Sequence, residues 1–440
     1  MKATFYVHNI GCKVNRVESD TIRAQLLKSG AQGVEREDAA LIVINTCTVT
    51  SEADTKTRKA IRQAHAFEQQ PWVVVTGCST VLHAEELAKL GERVVVEPDR
   101  AVALKRALKL LDELPKRGKR TSSNSAKKKT AQAKTTSKGA GSVIAMDFGD
   151  DDALRVGEGF NTRVGIKIQD GCDNRCTYCI VSTVRGVAVS TPVQKVLTEV
   201  KRAARAGARE LVFTGVNMGS YSDEDYDLTS LLQASLEAAP KARIRLSSLE
   251  PLDVTHDLLR CMVHSEGRLC AHLHLPLQSG SDRILRIMER PYISSQFEII
   301  AHRAKSLLPQ LALTTDVIVG FPGETDDDFR KTMALCKWAE FSKIHIFRYS
   351  RRPGTPAAEM EEQVPAPVKA ERAKKLSDLA DKLATADAER RIGTTELVLV
   401  ESPERGTSES YHVVELSGDY EPGSLVPVTF SASKAATLVE

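Results

Sequence analysis

The sequence predicts an α/β protein: a small doubly wound parallel domain, then an open partial (β/α) barrel of about six units, then a small β-barrel tail. Three observations lead there. Apolar runs rich in Val and Ile alternate with helical stretches through the first 112 residues. Six further strand-like runs alternate with helices between 159 and 391. Short β-like runs separated by Gly and Pro fill 392–440.

In the first region, ATFYVHNI (3–10), ALIVINT (40–46), WVVVTG (72–77) and RVVVE (93–97) read as buried parallel strands, with helices at 15–29, 53–68 and 82–90 between them. Residues 114–145 carry nine Lys or Arg and no acidic residue, which leaves the rest of the chain net acidic beneath an overall charge of +3. This segment is rich in Ser, Thr, Ala and Gly and has no apolar period. It cannot offset its ordering entropy by burial, so 113–158 reads as a basic disordered linker. Such a tether is either a solvated spacer or a phosphate contact. Beyond it, strands are expected at 163–169, 209–215, 243–249, 271–277, 312–319 and 343–349, closed by a helix at 366–391. The runs TELVLVE, SYHVVEL and SLVPVTF make the tail a separate small barrel.

With 42% hydrophobic and 27% charged residues, the composition is that of a soluble globular protein. No apolar run reaches eighteen residues and the start has no signal-peptide layout, so a cytoplasmic location without a membrane partner is expected. In that reducing compartment nine cysteines point to metal binding or catalysis rather than to disulfides.

Two groups of three cysteines stand out. Cys12 follows FYVHNIG, Cys47 follows LIVINT and Cys78 follows VVVTG. Each comes just after the carboxyl end of a parallel strand, the edge where doubly wound sheets bind ligands. Buried cysteines can be merely small hydrophobes, but three at one topological position suit a zinc ion or an iron–sulfur cluster. The second group, QDGCDNRCTYCIV, packs Cys172, Cys176 and Cys179 into eight residues. A zinc ribbon would supply a second CxxC pair, and none lies downstream. CxxxCxxC holds three corners of a [4Fe–4S] cube and leaves one iron open to a small chelating ligand, with Tyr178 covering one side.

These stretches resemble the radical S-adenosylmethionine (AdoMet) methylthiotransferase family. NIGCKVNRVESD, INTCTVTSEADTKTRKAIR and VVVTGCS resemble its amino-terminal domain. IKIQDGCDNRCTYCIVSTVRG, LVFTGVNMGSY, IRLSSLEP, LHLPLQSGSDRILRIMERPY, TTDVIVGFPGET and FRYSRRPGTPA resemble its radical domain, and the tail resembles a TRAM domain. GCKVNRVES and IQDGC are most similar to members acting on N6-threonylcarbamoyladenosine at position 37 of tRNA, beside the anticodon. Other members act on isopentenyladenosine in tRNA or on a ribosomal-protein aspartate. A non-catalytic iron–sulfur or zinc RNA-binding protein is the reading from another class.

The resemblance implies two [4Fe–4S] clusters, with AdoMet serving both as methyl donor and as radical source. The cluster on Cys172, Cys176 and Cys179 would bind AdoMet and generate a 5′-deoxyadenosyl radical that takes hydrogen from adenine C2. The cluster on Cys12, Cys47 and Cys78 would carry the sulfur. Tyr178, Gly215, Asn217, Glu250 and Gln278 are implied on the AdoMet side, with a loop or packing role as the alternative for each. An electron donor such as flavodoxin or ferredoxin, and tRNA, are the implied partners.

Asp316 lies within a strand and is expected to point inward, while Pro322 and Gly323 shape a turn. His272 and His274 alternate on one strand and so share a face; with no cysteine beside them they read as structural. FRYSRR (347–352) offers Phe347 and Tyr349 for base stacking and Arg348, Arg351 and Arg352 for phosphate, or else is a solvated strand end. Residues 391–440 hold three basic and eight acidic residues, an unfavourable balance for gripping RNA. The tail is therefore expected to cap the fold or to bind through a narrow local surface.

Overall fold

The structure is a computed structural model that describes residues 3–49, 51–114, 162–434 and 436–440. Most of the expected linker lies outside the described residues. The chain divides into two compact units. One holds the residues up to 114 together with Ile180–Gly186; the other holds 162–179 and everything from Val187 onward.

In the first unit, five strands pair in parallel: β1 (Thr4–Asn9), β2 (Gln32–Gly33), β3 (Leu41–Thr46), β4 (Trp72–Gly77) and β5 (Val94–Val96). Their order is β2-β1-β3-β4-β5, a doubly wound arrangement whose switch point lies between β1 and β3. Strand β3 is buried along its whole length because both of its faces are covered. Leu41 and Val43 pack with helices α1 (Lys13–Lys28) and α4 (Arg100–Glu113), joined by Ile22, Leu26, Ala103 and Leu110. Ile42 and Ile44 face the other way, onto α2 (Ser51–His65) and α3 (Cys78–Ala88), with Ile61, Ala64 and Leu87. Helix α4, absent from the sequence-based expectation, starts at Asp99, whose carboxylate caps the amides of Ala101 and Val102 at 2.7 and 3.0 Å. The short helix α5 (Val181–Arg185) follows Cys179 in the chain and belongs to this unit, where Ile180 and Val184 pack on Cys78.

Among the described residues, the barrel of the second unit has six parallel strands: β6 (Arg163–Lys167), β7 (Glu210–Thr214), β8 (Arg243–Leu246), β9 (His272–His274), β10 (Ala312–Val319) and β11 (Lys343–Arg348). They form two three-stranded sheets, β8-β7-β6 and β9-β10-β11, joined by bridges from Ile244 to Leu269 and from Ser248 to His274. The result is an open partial barrel. Helices α6 (Val193–Arg205), α7 (Leu228–Ala238), α8 (His256–His264), α9 (Asp282–Ile287), α10 (Ser294–Leu307), α11 (Asp326–Ala339) and α12 (Ala366–Arg390) complete the β/α units.

One parity along each barrel strand is apolar. Val164, Ile166, Leu211, Phe213, Ile244, Leu246, Leu273, Leu313, Val317 and Ile344 share a core with the helices, including Phe297 of α10, Leu335 of α11 and Leu376 of α12. The opposite parity therefore lines the barrel interior. It presents Lys167, Glu210, Thr214, Arg243, Arg245, His272, His274, Thr314, Asp316 and His345, a polar wall rather than the packed apolar layers of a closed barrel.

The tail folds as a six-stranded sheet around Val398, Val400, Val414, Val428, Phe430 and Leu438. It docks on the barrel through main-chain carbonyls. Arg243 and Arg245, at the amino ends of the barrel strands, donate to the carbonyls of Leu397, Thr407, Ser408 and Glu409 at 2.6–2.9 Å. Tyr411 lies over Arg245 at 4.8 Å and against the His272 ring at 4.7 Å. The tail thus closes the floor of the barrel, as the capping expectation requires. Glu210 is fully buried between the two arginines, bonded to Arg243 Nε at 2.7 Å and Arg245 Nε at 2.8 Å. Burial alone would raise its carboxyl, but the two guanidinium groups win and hold it far below the usual range.

Glu210→Gln should accordingly cost about 3–5 kcal/mol at neutral pH in urea unfolding, since it strands two buried cations. A depressed carboxyl contributes stability above its unfolded value and loses it as pH falls through the folded value. The variant should therefore also flatten the acid limb of the stability profile.

Candidate functional site

In the first unit, β1, β3 and β4 each hand the chain to a helix, and a cysteine sits at each handover. Cys12 is the N-cap of α1, Cys47 directly follows β3 ahead of α2, and Cys78 opens α3. Helix amino termini favour negative charge, so the Cys12 and Cys78 sulfurs occupy positions suited to thiolate. Gly77, before Cys78, has φ +96°, and a Cβ there would lie 2.4 Å from the Thr46 carbonyl oxygen. Only glycine lets β4 turn this tightly beside β3.

A buried polar frame surrounds these thiols. Cys12 Sγ donates to Asn15 Oδ1 at 3.1 Å, and Asn15 Nδ2 donates to Asn45 Oδ1 and to the Thr46 carbonyl at 3.1 and 2.8 Å. Arg100 Nε and Arg185 Nη1 converge on the buried carboxylate of Glu18 at 2.7 and 3.0 Å. Arg185 Nη2 also reaches Asn15 Oδ1 at 3.1 Å, and Arg100 Nη2 lies 3.8 Å from Cys78 Sγ. Two cations against one carboxylate leave a positive surplus beside the sulfurs. Burial, reinforced by the neighbouring Cys12 and Cys78, pushes the Cys47 thiol up to about 11. A cationic metal centre is what would hold such a sulfur as thiolate at neutral pH.

The second triad follows β6 on a loop pinned from three sides. Gly171, at φ +70°, lets the chain turn, and its amide donates to Asp170 Oδ1 at 2.9 Å while Lys167 Nζ holds Oδ2 at 2.7 Å. Thr177 donates its amide to Met288 O at 3.1 Å and its hydroxyl to Ile287 O at 2.9 Å, and its carbonyl accepts from Ala357 N at 2.9 Å. Cys172, Cys176 and Cys179 are thereby presented on one short loop. Burial raises the Cys172 thiol above its ordinary value, and Cys176 and Glu250 add to the rise. Among the described residues every cysteine is a free thiol.

Around this loop the remaining candidates take different parts. Arg290 is the hub: its Nη1 donates to Cys176 Sγ at 3.1 Å and lies 3.5 Å from the Tyr178 hydroxyl, while Nη2 pairs with Glu250. Tyr178 packs edge-on against Phe321 at 6.4 Å, and burial keeps its phenol well above the ordinary value and so protonated. Gly215 admits Gln169: a Cβ would lie 3.0 Å from Gln169 Oε1, which accepts the amides of Val216 and Asn217 at 2.9 and 2.8 Å. Asn217 Oδ1 is buried without a hydrogen-bond partner, as are Thr214 Oγ1 and Ser247 Oγ at the carboxyl ends of β7 and β8. Gln278 holds a left-handed backbone, φ +60°, fixed by main-chain bonds to Asp316 and Ile318 at 2.8 and 2.9 Å.

The FRYSRR stretch divides. Phe347, Arg348 and Arg351 are exposed, whereas Tyr349 and Arg352 are buried and face no solvent-borne RNA.

Two family models match the chain: the Radical SAM superfamily over residues 166–336 and the Uncharacterized protein family UPF0004 over residues 4–97. The threonylcarbamoyladenosine tRNA methylthiotransferase MtaB of Thermotoga maritima is 35% identical, over 90% of this chain and 86% of that protein. The chain belongs to the radical SAM methylthiotransferases. A second methylthiotransferase relative, the tRNA-2-methylthio-N(6)-dimethylallyladenosine synthase of Chlorobium limicola, is 32% identical over 99% of this chain and 97% of that protein. Among solved structures, TsrM from Kitasatospora setae, a radical S-adenosylmethionine methyltransferase with cobalamin and a [4Fe–4S] cluster bound, shares the fold. Its TM-score is 0.55 at 13% identity, over 81% of this chain and 77% of that one.

A methylthiotransferase of this family works with AdoMet and [4Fe–4S] clusters, and the residues present fit both. Two sets of three soft sulfur donors match cubes held at three corners. The orphaned oxygens of Asn217, Thr214 and Ser247 at the barrel mouth match a polar cofactor that would satisfy them. Five further side chains of this methylthiotransferase were not candidates from sequence: Asn15, Glu18, Arg100, Arg185 and Arg290. Asn15 and Glu18 carry the one local signal, polar residues recurring three apart on the buried stripe of α1.

Proposed function

We propose that this chain is a tRNA methylthiotransferase that places a methylthio group on C2 of N6-threonylcarbamoyladenosine at position 37, beside the anticodon. The observation that carries the reading is the pair of cysteine triads, each following strand ends and each set beside its own polar frame, with Cys47, Cys78 and Cys176 buried. When bound, the cofactors supply a carbon radical able to take hydrogen from an inert adenine C–H, and a sulfur and methyl source. Cys172, Cys176 and Cys179 would hold the cluster that binds AdoMet; Cys12, Cys47 and Cys78 would hold the second.

The protein's own part is positional. Thr177 and Gly171 fix the loop that presents the radical-side sulfurs, and Arg290 neutralises Glu250 beside them. Asn217 and Gln278 would line the AdoMet side, with Gly215 admitting the Gln169 brace that orients Asn217. In the first unit, Asn15 holds the Cys12 sulfur in place, and the Arg100 and Arg185 cations favour an anionic sulfur cluster. No described helix is long and apolar enough to cross a membrane. The reaction as proposed takes place in the cytoplasm and draws electrons from a flavodoxin- or ferredoxin-type donor.

Mass spectrometry of tRNA nucleosides from a strain lacking this gene tests the reading. The 2-methylthio mark on threonylcarbamoyladenosine should vanish and return on complementation. Loss of the mark from isopentenyladenosine instead, or an unchanged profile, rejects it.

A further inference from the structure

Two carboxylates of the barrel interior are met in different ways. Glu210 lies between the guanidinium groups of Arg243 and Arg245. Asp316, in the middle of β10, has no such partner: among the described residues no lysine or arginine pairs with it, and its ion-pair contact is His274. Histidines flank it on both neighbouring strands, His274 at the end of β9 and His345, its register partner, on β11. One nitrogen of each ring and one carboxylate oxygen all lie within 4.8 Å of one another. His274 Nε2 is 3.3 Å from Asp316 Oδ1, and the two imidazole rings stand 5.7 Å apart, tilted by 58°. Thr314 lies two residues before Asp316 and so shares its face of β10. Its hydroxyl bonds His274 Nδ1 at 2.9 Å, so Nε2 is the nitrogen turned to Asp316. His274 is buried, while Asp316 and His345 are partly open.

From this geometry we infer that His274, Asp316 and His345 form a binding site for one divalent transition-metal ion of the zinc class, distinct from the six clustered cysteines. Two imidazole nitrogens and one carboxylate oxygen are a donor set that zinc takes in open sites, whereas calcium and magnesium prefer oxygen alone. The spacing fits. Two ligands held at about 2.0–2.1 Å by a tetrahedral ion stand about 3.3 Å from each other, and that is the separation of His274 Nε2 from Asp316 Oδ1. His345 completes the set by a small swing of a partly open side chain. Thr314 holds the other nitrogen of the His274 ring, as the outer-shell partner of a metal-bound histidine does, and so fixes which nitrogen faces the ion. Charge points the same way: the Asp316 carboxylate brings a negative charge that no lysine or arginine offsets, and a divalent cation supplies the opposite charge. The partial exposure of Asp316 and His345 lets water take the remaining coordination position. None of this depends on which nucleoside the enzyme modifies.

Zinc chloride is the probe. The full-length enzyme, reconstituted anaerobically so that both cysteine triads hold their clusters, is titrated with zinc against a chelator of known affinity, desalted, and analysed for zinc and iron by elemental mass spectrometry. The expected result is about one zinc per chain with the iron content unchanged. Asp316→Asn and His345→Phe should each weaken zinc binding by more than about 100-fold, and Thr314→Val, which keeps all three ligands, by about 10- to 100-fold. Thermal unfolding and iron content check that each variant is intact; should one fail to fold, the other two carry the comparison. A wild-type enzyme that retains no zinc overturns the site, as does an unchanged affinity in the intact ligand variants; either result leaves His274 and Asp316 as a hydrogen-bonded pair. Zinc that enters only as iron leaves sits on the cysteines and overturns it too. Because metal content is the readout, the result stands apart from the nucleoside profile that tests the proposed substrate.

Discussion

Cys47→Ala should leave reductive AdoMet cleavage running while methylthio product falls by more than about a hundredfold, since loss of even an outer-shell partner costs 10- to 100-fold at a metal site. Cys47 belongs to the first unit and Cys172, Cys176 and Cys179 to the second, each set in its own frame. The β3 handover can be disabled without touching the Thr177 and Gly171 contacts that present the radical loop. Alanine keeps the small buried volume at position 47, so the β-sheet core should survive, and iron should drop from about eight to about four per chain. Anaerobic reconstitution, iron analysis and chromatography of 5′-deoxyadenosine against methylthio nucleoside check all of this together. Methylthio product persisting in the variant would refute the assignment of a separate sulfur-carrying role to Cys12, Cys47 and Cys78. Loss of AdoMet cleavage along with it would show that the two triads do not work independently.

Why the six cysteines were legible in the sequence, and their supports were not, follows from the range of the interactions involved. A strand of Val and Ile ends visibly, so LIVINT-Cys47 and VVVTG-Cys78 announce their own positions at one sheet edge. The CxxxCxxC spacing is local too. Arg185 and Glu18 are 167 residues apart and Arg290 and Cys176 are 114 apart, and no periodicity links such pairs. His274 and Asp316 had each been placed on an inward or shared face by alternation alone. Their meeting with His345 needed the β10–β11 register, which turns on how parallel strands slide against one another. The acidic balance of the tail argued against a grip on RNA, and its main-chain carbonyls at Leu397, Thr407, Ser408 and Glu409 cap Arg243 and Arg245. Helix α4 was missed although Asp99 signals its start, because the apolar strand pattern before it ends without a following strand.

Arg290→Met should cost about 3–5 kcal/mol of stability, because it removes one partner of a buried ion pair and strands Glu250. The Arg290 side chain is 3% exposed and that of Glu250 18%, so water can rescue the carboxylate only in part. Burial already raises the Glu250 carboxyl above its ordinary value with the guanidinium present. Without it the carboxyl should be raised further, since the guanidinium is what opposes the effect of burial. The double variant Arg290→Met/Glu250→Leu should recover most of the loss, since no charge is then left unpaired. Guanidine or urea unfolding of the cluster-free chain measures both. The same guanidinium donates to Cys176 Sγ, and a donor and positive charge beside a cluster sulfur favour the reduced state. The double variant should therefore be stable yet harder to reduce, its midpoint in an EPR redox titration displaced to more negative potential. Arg290→Lys keeps the charge but not the planar fork that reaches sulfur and carboxylate together, so it should fall between the two. If the restored double variant shows the wild-type potential, Arg290 is there only to balance Glu250, and the sulfur contact has no electronic consequence.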